Sequence, residues 1–203
     1  MNPTAPRHHL LAIVRGTDAD AALKTVLALA DEDITTVEVS LTTPDALRVI
    51  ERARQALGAH VLLGAGTVCT SDDAARAADA GAGFLVTPGL LDPLPELPVV
   101  MGALTPTEII IARDRGARAV KLFPSCLGGP GYLTALRGPF PDVPFVPVGG
   151  IDLAAARAYI AAGALAVGVG TPLIGDAADG GDLDALRLRA RTWHRALAGE
   201  VHR

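Results

Sequence analysis

Eight short runs of β-branched and aliphatic residues alternate with longer Ala- and Leu-rich runs of helical spacing along the chain. The short runs are almost continuously apolar, with no regular polar alternation. A strand of that kind must be covered on both faces, which is the condition of a parallel sheet clothed in helices. Strands are expected at residues 10–14, 35–39, 60–64, 83–86, 98–101, 119–122, 144–148 and 166–170. Helices are expected at 19–31, 44–57, 71–80, 106–115, 131–136, 153–162 and 183–197. Asp18, Thr43, Ser71, Thr105 and Asp152 stand where N-caps belong, with Pro44 and Pro106 at first helical positions. Gly58, Gly81, Gly116 and Gly163 stand where helices end. Pro88, Pro93, Pro95 and Pro98 crowd the fourth connection, so its helix is expected to be truncated or lost. Eight βα units of roughly 25 residues fit a closed (β/α)₈ barrel of the α/β class, a single domain over residues 1–203. An open doubly wound sheet is the alternative, but no GxGxxG follows the first strand.

Composition narrows the partners. Half of the 203 residues are hydrophobic but only 3% are aromatic, so the core must be packed from Ala, Val, Leu and Ile. The net charge is −4 and no basic stripe appears, which argues against nucleic acid. No run of about 18 apolar residues offers a membrane span, and residues 1–9 carry no apolar signal core. Cys69 and Cys126 match no CxxC spacing and read as free thiols in a reducing cytoplasm.

Barrel chemistry sits at the C-terminal ends of the strands. There the chain offers Arg15-Gly16, Glu38-Val39-Ser40, Gly64-Ala65-Gly66-Thr67, Thr87-Pro88-Gly89, Lys121-Leu122-Phe123-Pro124, Gly149-Gly150 and Gly170-Thr171. Lys121 is one of two lysines, against sixteen arginines. Its strand is apolar, and an ammonium that is costly to desolvate holds its proton weakly and becomes a nucleophile toward ketones. The alternative is a lysine that snorkels to solvent. Glu38 could move protons beside it, or form a strand-end salt bridge, for instance to Lys121. Arg15 suits a substrate carboxylate, or an ion pair with Asp18 or Asp20. Thr67 could add a hydroxyl donor or be a turn residue. Gly149-Gly150 and Gly170-Thr171 follow the last two strands, the habitual phosphate site of barrel enzymes, or are tight turns without a ligand. His8, His9, His60, His194 and His202 fall in no HxxxH or HExxH spacing, so no metal site is expected.

Seven segments in order, Ala12-Ile13-Val14-Arg15-Gly16, Val37-Glu38-Val39-Ser40-Leu41, Gly64-Ala65-Gly66-Thr67-Val68, Val86-Thr87-Pro88-Gly89, Thr105-Pro106-Thr107-Glu108, Val120-Lys121-Leu122-Phe123-Pro124 and Pro147-Val148-Gly149-Gly150-Ile151, resemble the KDPG/KHG aldolase family. The resemblance implies a class I aldolase on a (β/α)₈ barrel, usually a homotrimer. It would cleave a 2-keto-3-deoxy-6-phospho sugar acid, the gluconate or the galactonate, to pyruvate and D-glyceraldehyde 3-phosphate. The resemblance also implies cleavage of 4-hydroxy-2-oxoglutarate to pyruvate and glyoxylate. It implies Lys121 as the Schiff-base lysine, Glu38 as general acid/base and Thr67 on the pyruvate carboxylate. Phe123 and Pro88 would shape the pocket, and Gly149, Gly150 and Thr171 would hold phosphate. No cofactor is needed, since the protonated imine accepts the electrons. Thr42 stands where many members carry an arginine for the carboxylate, so Arg15 would have to supply that charge. The surroundings of Glu38 and Lys121 look closer to the branch acting on the galactonate. A phosphate-binding isomerase or synthase, with Lys121 a mere charge partner, and a non-catalytic sugar-phosphate binder are the competing readings.

Overall fold

The structure, a computed structural model, describes residues 7–198. Its strands are β1 (Leu10–Val14), β2 (Thr36–Ser40), β3 (Leu62–Gly66), β4 (Leu85–Val86), β5 (Val99–Ala103), β6 (Ala119–Leu122), β7 (Phe145–Pro147) and β8 (Val167–Val169). Every pairing is parallel, in the order β7-β6-β5-β4-β3-β2-β1-β8. A single parallel bridge between Val148 and Gly168 joins the two ends, so the sheet closes as a (β/α)₈ barrel.

The helices are α1 (Ala19–Asp31), α2 (Ala46–Ala56), α3 (Ser71–Asp79), α4 (Pro106–Asp114), α5 (Gly129–Arg137), α6 (Leu153–Ala161), α7 (Thr171–Ile174) and α8 (Leu183–Ala198). The β4–β5 connection carries no helix, as its prolines require. There the Thr87 hydroxyl donates to the Gly89 carbonyl (2.5 Å) and accepts the Gly102 N–H (3.1 Å), which fixes the rim by side-chain bonding instead. Among the described residues no helix is long and apolar enough to cross a membrane.

Each strand divides its side chains between two cores. In β1, Leu10, Ala12 and Val14 pack outward under the helices, while Leu11 and Ile13 join Val86, Ala119, Val146 and Val148 inside the barrel. This two-sided burial is why the strands read as unbroken apolar runs. The interior is narrow, and glycine makes it fillable. A Cβ at Gly64 would sit 2.6 Å from the Phe84 ring, and one at Gly168 would sit 2.6 Å from Val148 Cγ2.

Several local expectations are corrected. The third strand is expected at 60–64 but runs Leu62–Gly66, because residues 59–60 form a turn ahead of it. The second helix begins at Ala46 and not at Pro44: Asp45, at φ 50°, breaks the entry, and the Thr43 hydroxyl accepts the Gly16 N–H (3.4 Å) instead of capping. Thr70, not Ser71, caps α3, through a reciprocal box with Asp73. Gly81, Gly116 and Gly163 end helices at positive φ, whereas Gly58 is not among the positive-φ residues. The helix expected at 131–136 is longer at both ends, Gly129–Arg137.

The glycine-for-aromatic exchange inside the barrel gives a stability test. Gly64→Ala is expected to cost about 1–3 kcal/mol by overpacking against Phe84. Combining it with Phe84→Leu, which vacates that space, should cost clearly less than the two single changes added together. Denaturant unfolding of the three variants checks this, and strict additivity would deny the contact.

Candidate active site

Strand register builds the site. Val37 and Val39 of β2 pack outward, so the intervening Glu38 turns into the barrel with Thr36 and Ser40. Val120 and Leu122 of β6 pack outward, so Lys121 points inward with Ala119. Glu38 is 1% exposed and Lys121 5%. Glu38 lies between Ile13 and Gly64 in the sheet, and the carboxylate fits only because Gly66 has no side chain: a Cβ there would fall on Glu38 Oε1.

The two charges do not meet as an ion pair within 4.0 Å, so the strand-end salt bridge considered from sequence is not formed. Glu38 Oε2 is buried without a hydrogen-bond partner. Burial pushes this carboxyl up to about 7, against the opposing pull of Lys121 and Arg15. Burial likewise drives Lys121 below the usual lysine range; Glu38 opposes that shift and the Arg15 charge adds to it. The ammonium end of Lys121 lies 5.0 Å from the centre of the Phe123 ring. An acid weakened and a base weakened in the same cavity can exchange protons near neutrality, which free Glu and Lys cannot.

Arg15 is not paired with Asp18 or Asp20; Asp20 is held by Arg52 at 2.6 Å. Instead Arg15 Nε donates to Ser40 Oγ (3.3 Å) and Nη2 to Thr67 Oγ1 (3.3 Å). Thr67 has φ 59°, a left-handed backbone that a β-branched residue adopts only under constraint. Such strain costs on the order of 1–3 kcal/mol and gathers at ligand clamps. Thr42, where the family resemblance sets an expectation of arginine, is exposed and shares a 2.8 Å hydrogen bond with Ser40.

Opposite this cluster, Gly149 and Gly150 take φ 101° and 71° in succession. Only glycine adopts that pair readily, and a Cβ at Gly150 would also crowd Cys126 at 3.0 Å. The Ser125 hydroxyl, shared between the carbonyls of Val148 (2.9 Å) and Gly149 (3.1 Å), ties the turn to the end of β6. The Tyr159 hydroxyl donates to the Ser125 carbonyl at 2.7 Å from behind.

One cavity of about 550 Å³ opens over these strand ends. Arg15, Glu38, Thr67, Pro88, Lys121, Phe123, Gly149, Gly150, Gly170 and Thr171 all line it, so the fold gathers every candidate residue drawn from the sequence. Ser40 and Gly66 stand among the strand-end residues read from sequence, but without a role of their own. A role for Ser40 was findable, since it lies two residues beyond Glu38 on the same strand face. Among the described residues one cluster could hold a metal ion, His8, Asp33 and His194. His8 precedes β1, Asp33 precedes β2 and His194 lies on α8, all outside this cavity, and sequence spacing did not foresee the cluster.

Residues 4–187 match the family described as KDPG and KHG aldolase. A probable 2-dehydro-3-deoxy-6-phosphogalactonate aldolase of Rhizobium meliloti is 34% identical over 197 residues, 94% of this chain and 93% of that one. A 2-dehydro-3-deoxy-phosphogluconate aldolase of Pseudomonas aeruginosa is 40% identical over 141 residues, 66% of this chain and 64% of that one. A crystal structure of KDPG aldolase from Legionella pneumophila, with pyruvate captured at low pH as a covalent carbinolamine intermediate, superposes with a TM-score of 0.82 at 26% identity, covering 94% of this chain and 95% of that one. With the match spanning nearly its whole length and the barrel closed around the shared segments, this chain belongs to the KDPG and KHG aldolase family.

Proposed function

We propose that the chain is a class I aldolase that cleaves a 2-keto-3-deoxy-6-phospho sugar acid, the gluconate or the galactonate, to pyruvate and D-glyceraldehyde 3-phosphate. The observation that carries this reading is a buried amine and a buried carboxyl in one cavity, each pushed toward its neutral form, with no ion pair to discharge them. The covalent pyruvate adduct of the Legionella relative supports it.

In this reading the Lys121 amine adds to the C2 ketone, and Glu38 supplies the proton with which the carbinolamine loses water. The resulting iminium is the electron sink. Glu38, now a carboxylate, takes the C4 hydroxyl proton; the C3–C4 bond breaks, its electrons pass to the iminium, and glyceraldehyde 3-phosphate leaves. The enamine is protonated at C3, and water releases pyruvate and the free amine. Arg15 and Thr67 hold the carboxylate at C1. Backbone N–H groups at Gly149, Gly150, Gly170 and Thr171 hold the phosphate at the far side of the cavity, and Pro88 and Phe123 shape its walls. Pyruvate and the phosphorylated acid are the partners, with a cytoplasmic homotrimer as the working form. The segments Ser40-Leu41-Thr42-Thr43-Pro44 and Lys121-Leu122-Phe123-Pro124-Ser125 resemble the branch acting on the galactonate, which is the first substrate to test, with 4-hydroxy-2-oxoglutarate as a substrate lacking phosphate. A side-by-side assay of the three, coupled to pyruvate reduction, decides among them; equal rates on the phosphate-free acid would remove the phosphate role of the glycine turns.

Two outcomes follow for Glu38. Glu38→Gln should lower kcat about 10²–10⁴-fold, the span for a positioned acid/base. With C3–C4 cleavage limiting, turnover of the unsubstituted enzyme should fall as the pH drops through about 7, because the iminium complex then holds Glu38 protonated and without a base for the C4 hydroxyl, and that limb should vanish in the Gln variant. Near-normal turnover in Glu38→Gln would remove the residue from this role.

The same carboxyl predicts a stability effect of definite sign. Its pKa rises on folding from 4.5 to about 7, so the native state binds the proton more tightly than the unfolded chain. Its contribution is therefore most favourable below pH 4.5 and is lost as pH climbs through about 7. Glu38→Gln should then melt higher than the unsubstituted protein at pH 8, with the gain shrinking toward pH 4.5. Thermal melts across that range check it, and a gain that grows on acidification would contradict it.

A further inference from the structure

Ser40 is fully buried, and its single hydroxyl meets three other side chains. Arg15 Nε donates to it at 3.3 Å, and Thr42 Oγ1 and Thr67 Oγ1 each lie 2.8 Å away. The Thr42 N–H reaches the same oxygen at 3.5 Å. A hydroxyl has one proton to give and two lone pairs to receive with. Arg15 can only donate, so one lone pair of Ser40 is taken. The Thr42 N–H, at 3.5 Å, is too long to compete with the two 2.8 Å contacts, so Ser40 gives its proton to one threonine and accepts from the other.

The two possible orders differ in what they leave facing the cavity. If Ser40 donates to Thr67, then Thr67 Oγ1 accepts from both Ser40 and Arg15 Nη2, and its own proton is free. That proton can only point away from its two partners, toward a ligand in the cavity that Thr67 lines. If instead Thr67 donates to Ser40, it presents a lone pair there, which an anion is repelled by. A bound carboxylate selects the first order. The same Ser40 contact anchors the Thr67 hydroxyl on a backbone held at φ 59°.

We propose that Ser40 is a positioning residue for the keto-acid carboxylate, which by donating to Thr67 makes the Thr67 hydroxyl an obligate donor and by accepting from Arg15 fixes the guanidinium beside it. The inference rests on the aldolase reading and specifies how that site recognises a 2-keto carboxylate rather than any ketone. Ser40 touches no reacting atom. It acts through Thr67 and Arg15.

The test compares two ketones on one amine. Borohydride trapping at Lys121 is measured against concentration for pyruvate and for hydroxyacetone, which has no carboxylate. Ser40→Ala should raise the half-saturating pyruvate concentration about tenfold, the worth of one hydrogen bond to a charged group, and leave hydroxyacetone trapping unchanged. Ser40→Thr, which keeps the hydroxyl, should restore pyruvate. If Ser40→Ala does not fold, Ser40→Cys, a far weaker donor, carries the same comparison. Equal loss for both ketones would make Ser40 merely structural, and unchanged pyruvate trapping would show that Thr67 needs no such partner; either result overturns the proposal. If the unsubstituted protein traps neither ketone at Lys121, the aldolase reading itself falls, and this proposal with it.

Discussion

Everything at this site depends on keeping a carboxyl and an amine inside a low-dielectric barrel without letting them neutralise each other as a contact pair. A direct Glu38–Lys121 salt bridge would hold both groups ionised, and a fully charged lysine does not add to a ketone. The register of β2 and β6 sends both side chains inward, and Gly66 leaves the carboxyl room. The orphaned Glu38 Oε2 is the visible cost of that arrangement. A buried polar atom left unpaired is unfavourable, and it persists here because the barrel around it is over-determined by packing.

That packing is divided. Beneath the site, Leu11, Val86, Ala119 and Val146 fill the barrel interior as an apolar plug. Outside, the larger core between strands and helices supplies most of the buried apolar surface. The chemistry occupies only the upper strand ends, where polar groups replace the plug. Thr67 and the Gly149–Gly150 turn take positive φ at the cavity wall. The division lets the upper layer carry polar groups such as Ser40, Thr42 and Thr67, while the layers below keep the barrel closed.

The barrel was legible in the sequence because strands buried on two sides leave long apolar runs, and because caps such as Asp18, Thr105 and Asp152 act locally. Boundaries were less legible. Pro44 looked like a first helical residue, yet the chain around Thr43 is tied to Gly16 from another strand end, a contact no local rule contains. The site was legible as a set of residue types at strand ends, and the cavity gathers them. Their couplings were not. Residues 15, 40, 42 and 67 become one hydrogen-bonded cluster only through the β1–β2–β3 register, so from sequence Arg15 suits an ion pair with Asp18 or Asp20 as well as a substrate carboxylate. The His8, Asp33 and His194 cluster escaped for the same reason, since its members come from three distant segments.

The central claim is that Lys121, and not the other lysine, captures the keto acid covalently. Incubation with pyruvate and a hydride donor, followed by digestion and peptide mass mapping, tests it directly. The account predicts a stable N-carboxyethyl adduct on the peptide that contains Lys121. An unmodified Lys121 peptide, or an adduct found only at Lys24, would contradict it.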